Sequence, residues 1–179
     1  MLVRENTKEY LNAFAKYVIQ QSRSNLSKQN KNVDKKLYNS LDKEIEVGAN
    51  SFRLAFLMED YGKFQDKGVS GIEQKYNTPY SYKSKGGKRG LKGMPPPKAF
   101  DKWNIKRGLA PRDENGKFLS RKQTNFLVAL KIFKKGIKPS LFFTKPFEAG
   151  YKKYIDTDLM KAFSQDIDTI FDYNLTNIK

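Results

Sequence analysis

The chain has 179 residues, a formal net charge of +16, no cysteine and no histidine. Without cysteine there is no disulfide framework and no thiolate nucleophile, and without histidine the commonest general base and zinc ligand are missing, so most hydrolase triads are excluded. The length suits one domain, by a prior of roughly 100 to 200 residues each, and 13 Phe, 10 Tyr and 1 Trp are too many aromatics for a wholly disordered polymer.

The first helix is expected over residues 7–22, opened by Asn6 with Glu9 as a reciprocal cap and carrying Tyr10, Leu11, Phe14, Tyr17 and Val18 at helical spacing. The polar run over 22–32 reads as a flexible linker. A short amphipathic turn follows over Val33 to Leu41. Glu44 to Val47 and Ser51 to Met58 then alternate around Gly48-Ala49-Asn50 as a hairpin, with Phe52, Leu54, Phe56 and Met58 on one strand face.

From Tyr61 to Pro97 the chain is basic, broken by glycine and proline, and without a sustained apolar period. A connection longer than about 15 residues inside a compact domain is usually a functional loop or a disordered segment. The expectation is an extended arm over 61–97, outside the core and ordered mainly by its neighbours, with Tyr61 and Phe64 fixing its root.

Pro95 to Pro97 leads into a short helix from Lys98 to Arg107, whose Phe100 and Trp103 share one side, and Trp103 is expected in a core. Ser120 and Gln123 form a capping box. The central amphipathic helix that they open carries Phe126, Leu127, Leu130 and Phe133 on one stripe, and Lys134, Lys135 and Gly136 close it. Ser140 to Thr144 reads as a strand or buried extended segment ended by Pro146. A last helix over 157–173 buries Leu159, Phe163, Ile167, Ile170 and Phe171, and shows water an acidic face with Asp158, Asp168 and Asp172. Together these elements make an α+β fold: a small antiparallel sheet packed by N-terminal, central and C-terminal helices, with a long basic loop.

Charge is distributed unevenly. Between Lys63 and Lys122 there are 16 Lys and Arg against 5 Asp and Glu, whereas from Asp156 onward 5 Asp stand against 2 Lys. A basic middle and an acidic end attract each other, within one chain or between copies. The first thirty residues lack an apolar signal region and no run approaches the roughly 18 residues that span a bilayer, so a soluble, unsecreted chain without a membrane partner is expected.

Three chemistries compete for the arm. Asp60 or Asp66 with Glu73-Gln74-Lys75 imitates the carboxylates and lysine of a magnesium-dependent nuclease, but Gly71, Asn77 and Pro79 deny it the rigid strand that such a site needs. Lys83, Lys85, Lys88, Arg89 and Lys92, interleaved with Tyr76, Tyr80 and Tyr82, suit phosphate neutralisation and base stacking, the bland alternative being a solvated loop. No groove-docking or phosphate-loop motif accompanies them. The third reading is architectural: a basic arm and an acidic helix on one chain suit head-to-tail association into a closed ring. No catalytic, cofactor-binding or metal-binding residue is singled out.

The order of elements resembles a family. A strand running into Glu59-Asp60-Tyr61-Gly62-Lys63-Phe64-Gln65-Asp66-Lys67-Gly68, a long loop, the helix Phe126 to Phe133 and then Lys135-Gly136-Ile137-Lys138-Pro139-Ser140-Leu141-Phe142-Phe143 is similar to the tail-completion or neck proteins of tailed bacteriophages. In that family a strand ends in a tyrosine, an aromatic and a glycine before a variable loop, and a Pro-Phe close comes later, matched here by Phe142, Phe143, Pro146 and Phe147. The resemblance covers about Glu44 to Tyr154 and is nearest to versions in short-tailed or crAss-like phages. It implies a single connector domain over 1–179, assembled in the host cytoplasm into a homo-oligomeric ring at the head-to-tail junction of the virion. Its partners would be portal or adjacent neck and tail proteins, and it would surround the DNA channel without catalysis. Phe142, Phe143, Phe147 and Trp103 would be packing anchors. Lys83 to Lys92 would touch a neighbouring subunit or, non-specifically, packaged DNA, and Asp158, Asp168 and Asp172 would form an acidic interface. The enlarged arm and the segment Lys98 to Lys122 depart from the family pattern.

Overall fold

The computed structural model describes residues 5–31, 33–48 and 51–176. The fold is α+β, with seven α-helices and two separate two-stranded antiparallel sheets among the described residues. Where the sequence suggests one domain, the chain divides into two compact units, Met1–Glu59 with Phe142–Lys179, and Asp60–Leu141.

The first unit is built on α1, Glu5–Lys28. Residues 22–28 are helix and not linker, because Ser22 and Leu26 continue the stripe of Leu11, Phe14, Ala15, Val18 and Ile19, all buried. A small hydroxyl in that stripe reads as linker in the sequence but packs as a small core residue. Further bonds hold this end of the helix. Arg23 donates from Nε to the Tyr38 carbonyl at 3.1 Å and from Nη2 to the Leu41 carbonyl at 2.9 Å, and its guanidinium lies 5.2 Å from the Tyr38 ring centre. Those carbonyls flank the C-terminal end of the short helix α2, Lys36–Ser40, where unpaired acceptors gain most from a cation.

Strands β1, Asp42–Val47, and β2, Phe52–Leu57, pair from Asp42 with Leu57 to Val47 with Phe52. Residues 49 and 50 of the expected turn lie outside the described residues. Phe56 and Met58 face a core of Ile19, Leu26, Leu37, Leu41 and Phe142. Phe142 is fully buried, and Phe143 and Phe147 join Phe14 and Phe56 in edge-to-face and stacked contacts at 5.3–6.0 Å.

Ser140 to Thr144 is not a strand. Leu141 turns at φ 51°, and α6, Thr144–Gly150, begins at once with Pro146 inside its first turn, where a missing N–H costs nothing. A π-helical stretch, Tyr151–Leu159, runs on into α7, Met160–Thr176. Gly150 lets this helix approach α1 closely, since a Cβ there would stand 3.0 Å from the rings of Phe14 and Tyr17.

Of the expected buried stripe of the last helix, Leu159 and Ile167 are half-buried, Phe163 is corrected to exposed, and the side chains of Ile170 and Phe171 lie outside the described residues. α7 buries Ala162 and Asp166, while Met160 is 65% and Phe163 41% exposed. Asn6 does not pair with Glu9 as a cap. Asn6 and Thr7 lie within α1 and bond to Asp166, whose charge satisfies the first turn and decides which side of α7 is inward.

The second unit contains α3, Gly62–Lys67; β3, Val69–Ser70; α4, Asp101–Lys106; α5, Arg121–Lys135; and β4, Gly136–Ile137. The capping box of α5 is present, with Gln123 N donating to Ser120 Oγ at 3.3 Å and Ser120 N to Gln123 Oε1 at 3.0 Å. Its buried face is Thr124, Asn125, Ala129 and Phe133. Asn104 of α4 donates to Asn125 at 2.6 Å, and Asn125 to Asp101 at 2.9 Å. This polar ladder turns Phe126 and Leu127 outward, so of the expected stripe only Phe133 is fully buried.

Candidate functional site: a basic tip on a closed root

The span 61–97 is not one arm. Its first part, through Tyr82, is folded into the second unit, with Val69, Ser70 and Gly71 buried. Ser70 is the hub. Its N–H donates to the Tyr80 carbonyl at 2.9 Å and its carbonyl accepts from Tyr82 at 2.8 Å, while its hydroxyl donates to the Tyr76 carbonyl at 3.2 Å and accepts from Tyr76 N at 2.9 Å. The sequence offered no apolar period here because hydrogen bonds, and not side-chain burial, do the folding.

The two segments that carry the family resemblance meet at this root. β3 pairs with β4, Val69 opposite Ile137 and Ser70 opposite Gly136. Ser140 N donates to the Asp66 carbonyl at 3.0 Å, and Leu141 N to the same oxygen at 3.0 Å. Ile72 N and Glu73 N donate to the Phe133 and Lys134 carbonyls at 3.1 and 3.0 Å, capping the end of α5. Two glycines make the approach feasible. A Cβ on Gly71 would lie 2.0 Å from the Lys134 oxygen, and one on Gly136 2.1 Å from the Val69 oxygen.

Phe64 packs edge-to-face on Tyr80 at 4.7 Å, as suits a root residue. Tyr61 is 42% exposed, and its backbone carbonyl accepts from Phe64 and Gln65 at the start of α3. Tyr82 packs against Phe133, and burial pushes its phenol up from the ordinary value. Tyr80 and Tyr82 are therefore packing groups and not free stacking rings.

Beyond Tyr82 the character changes. Residues 83–93 close on themselves: Lys85 N donates to Lys92 O at 2.7 Å, Lys92 N to Gly86 O at 2.9 Å, and Ser84 Oγ to Gly90 O at 2.7 Å. Gly86, Gly87, Gly90 and Gly93 all have positive φ, which lets so short a segment turn. Lys83, Lys85, Lys88 and Lys92 are exposed on it. The Arg89 side chain lies outside the described residues, as do those of Asp158 and Asp172; Asp168 is exposed. The tip is thus ordered by its own backbone bonds and carries a cluster of cations.

Trp103 is not a core residue. It is 39% exposed beside Arg107, 5.6 Å from its ring centre, and Phe118, 58% exposed, lies under Arg112 at 3.8 Å. Lone aromatic punctuation cannot distinguish core from surface without a period to carry it. The whole unit Asp60–Leu141 holds 20 Lys and Arg against 6 Asp and Glu, a net +14.

The carboxylates weighed for a nuclease are placed otherwise. Asp66 is buried, Glu73 pairs with Lys134 at 2.7 Å and Lys75 donates to the Gly71 carbonyl at 3.0 Å. Among the described residues no three metal-ligating side chains come together, and no helix is long and apolar enough to cross a membrane. No protein-family model, curated protein or solved structure matches the chain.

Proposed function

We propose that the chain is a structural, non-catalytic virion protein of the tail-completion or neck type, a ring subunit joining portal to tail around the DNA channel. The observation that carries this reading is the junction of the two segments on which the resemblance rests, β3 against β4 and Ser140 against the Asp66 carbonyl, with a cationic tip projecting from that root. A unit of net +14 repels its own copies and needs polyanionic or acidic surroundings. Packaged DNA and an acidic neighbouring protein surface both supply them. Cryo-EM of the virion tests the proposal: density for this chain in a ring between portal and tail is expected, and its absence from the particle would overturn it.

A second reading is a non-specific nucleic-acid-binding protein acting alone, favoured by the exposed tip lysines and by Trp103 beside Arg107. It predicts DNA affinity that falls with salt by a slope of roughly 0.9 per phosphate contact. That slope should shrink when Lys83, Lys85, Lys88, Arg89 and Lys92 become Ala. Unchanged binding in that variant would remove this reading.

A further inference from the structure

Two apolar faces stand in solvent, one on each unit. On α5, Leu119, Lys122, Gln123, Phe126 and Leu127 line an open groove of about 440 Å³. Leu127 is 46% exposed and Phe126 38%. Its surroundings are cationic: Arg121, Lys122 and Lys131 are exposed on the same helix, in a unit of net +14. On α7, exposed Met160 and Phe163 and half-buried Ile167 recur at i, i+3 and i+7, bordering the side that buries Ala162 and Asp166. That stripe is flanked by exposed Asp168 and Lys161, in a segment that carries 5 Asp, of which Asp166 is buried, against 2 Lys from Asp156 onward.

The geometry points to a second copy of this chain as the occupant: the α7 stripe of one copy lies in the α5 groove of the next. Anchors at i, i+3 and i+7 are what an apolar groove reads when it takes up an amphipathic helix. The charges are opposite in sign, cationic around the groove and net acidic over the segment that carries the stripe, which steers the encounter and disfavours groove against groove. Because the two faces differ, the contact is heterologous, and repetition closes a ring or grows a filament. The inference rests on the proposed ring for its setting, but the contact itself is tested apart from the virion.

The test uses the full chain with Leu127→Glu or Phe163→Glu, both exposed positions, with circular dichroism confirming that each variant folds. In light scattering the wild type should associate as concentration rises, and each variant should associate roughly tenfold or more weakly. An equimolar mixture retains one intact groove and one intact stripe, so it should form 1:1 pairs and nothing larger. A wild type that stays monomeric, or a mixture that does, overturns the inference.

The cysteine-free background supplies a second measurement. Chains carrying Leu127→Cys and Phe163→Cys should form a mixed disulfide on oxidation, and neither should pair with Val47→Cys on β1. Equal pairing with Val47→Cys would also overturn it. A virion lacking the chain would remove the connector reading and leave this contact standing. Monomers in solution, with the chain present in the virion ring, would do the reverse.

Discussion

Thr7 donates its hydroxyl to Asp166 at 2.6 Å and its backbone N–H to the same carboxylate oxygen at 2.9 Å, across 159 residues of sequence. Both residues are buried, and Asn6 donates to the second oxygen at 3.0 Å. The first turn of α1 is therefore capped from α7.

The contact makes the first unit sensitive to acid. Burial pushes the Asp166 carboxyl up, but the hydrogen bonds from Thr7 and Asn6 outweigh it and hold the group below its ordinary 3.8. A depressed folded value means that the stabilisation is complete above the unfolded value and is lost as pH falls below 3.8 through the folded one. Acid unfolding followed by circular dichroism should show this step in the wild type and lose it in Asp166→Asn. Thr7→Val should cost about 1.5–3 kcal/mol at neutral pH, as expected for a bond to a buried charge; a cost near zero would mean that α1 is held without this cap.

Close backbone approach at the root predicts a second result. Gly136→Ala, at φ 77°, has no room for its methyl, whereas Gly116→Ala at the same φ meets nothing within 4 Å. The first should cost about 3 kcal/mol or more and the second roughly 1–2 kcal/mol. Equal losses in urea unfolding would assign the whole effect to backbone conformation and none to crowding.

Phe142 and Trp103 should part company on truncation. Phe142→Ala empties a fully buried site and should cost about 3–5 kcal/mol. Trp103→Ala, at an exposed position, should cost less than about 1 kcal/mol. A large loss at Trp103 would return it to the role of packing anchor.

The ladder between α4 and α5 offers a fourth comparison. Asn125→Ala leaves the buried Asn104 amide without its acceptor and should cost roughly 1–3 kcal/mol. The double variant Asn104→Ala with Asn125→Ala should lose less than the sum of the single losses, because neither buried amide is then left unpaired. Strict additivity would show that the two side chains are not coupled.

Where burial and local capping decide the structure, the chain is legible from its sequence. The hairpin around Gly48, the Ser120–Gln123 box, the α+β class and buried Phe142 follow from period, cap residues and apolar character. Where distant partners decide, it is not. Ser22 sits in a buried stripe whose far side is another element, Ser70 organises 69–82 through hydrogen bonds that leave no pattern, and α5 buries Thr124 and Asn125 against a polar partner on α4. A signal for α3 did exist, with Lys67 in the last turn and Gly68 at φ 74° beyond it, but the glycine content around it read as loop. Of the proposed contact residues, the tip lysines were placed by charge alone, while the outward faces of α5 and α7 required knowing which side each helix buries.

The π-helical stretch Tyr151–Leu159 makes the aim of α7 a matter of chain length. Each residue deleted there would rotate everything beyond it by about 100° around the helix axis. Asp166 would swing away from Thr7, and Met160, Phe163 and Ile167 would face elsewhere without any of them being replaced. A change of length there would leave side-chain chemistry intact and alter only the direction in which it is presented.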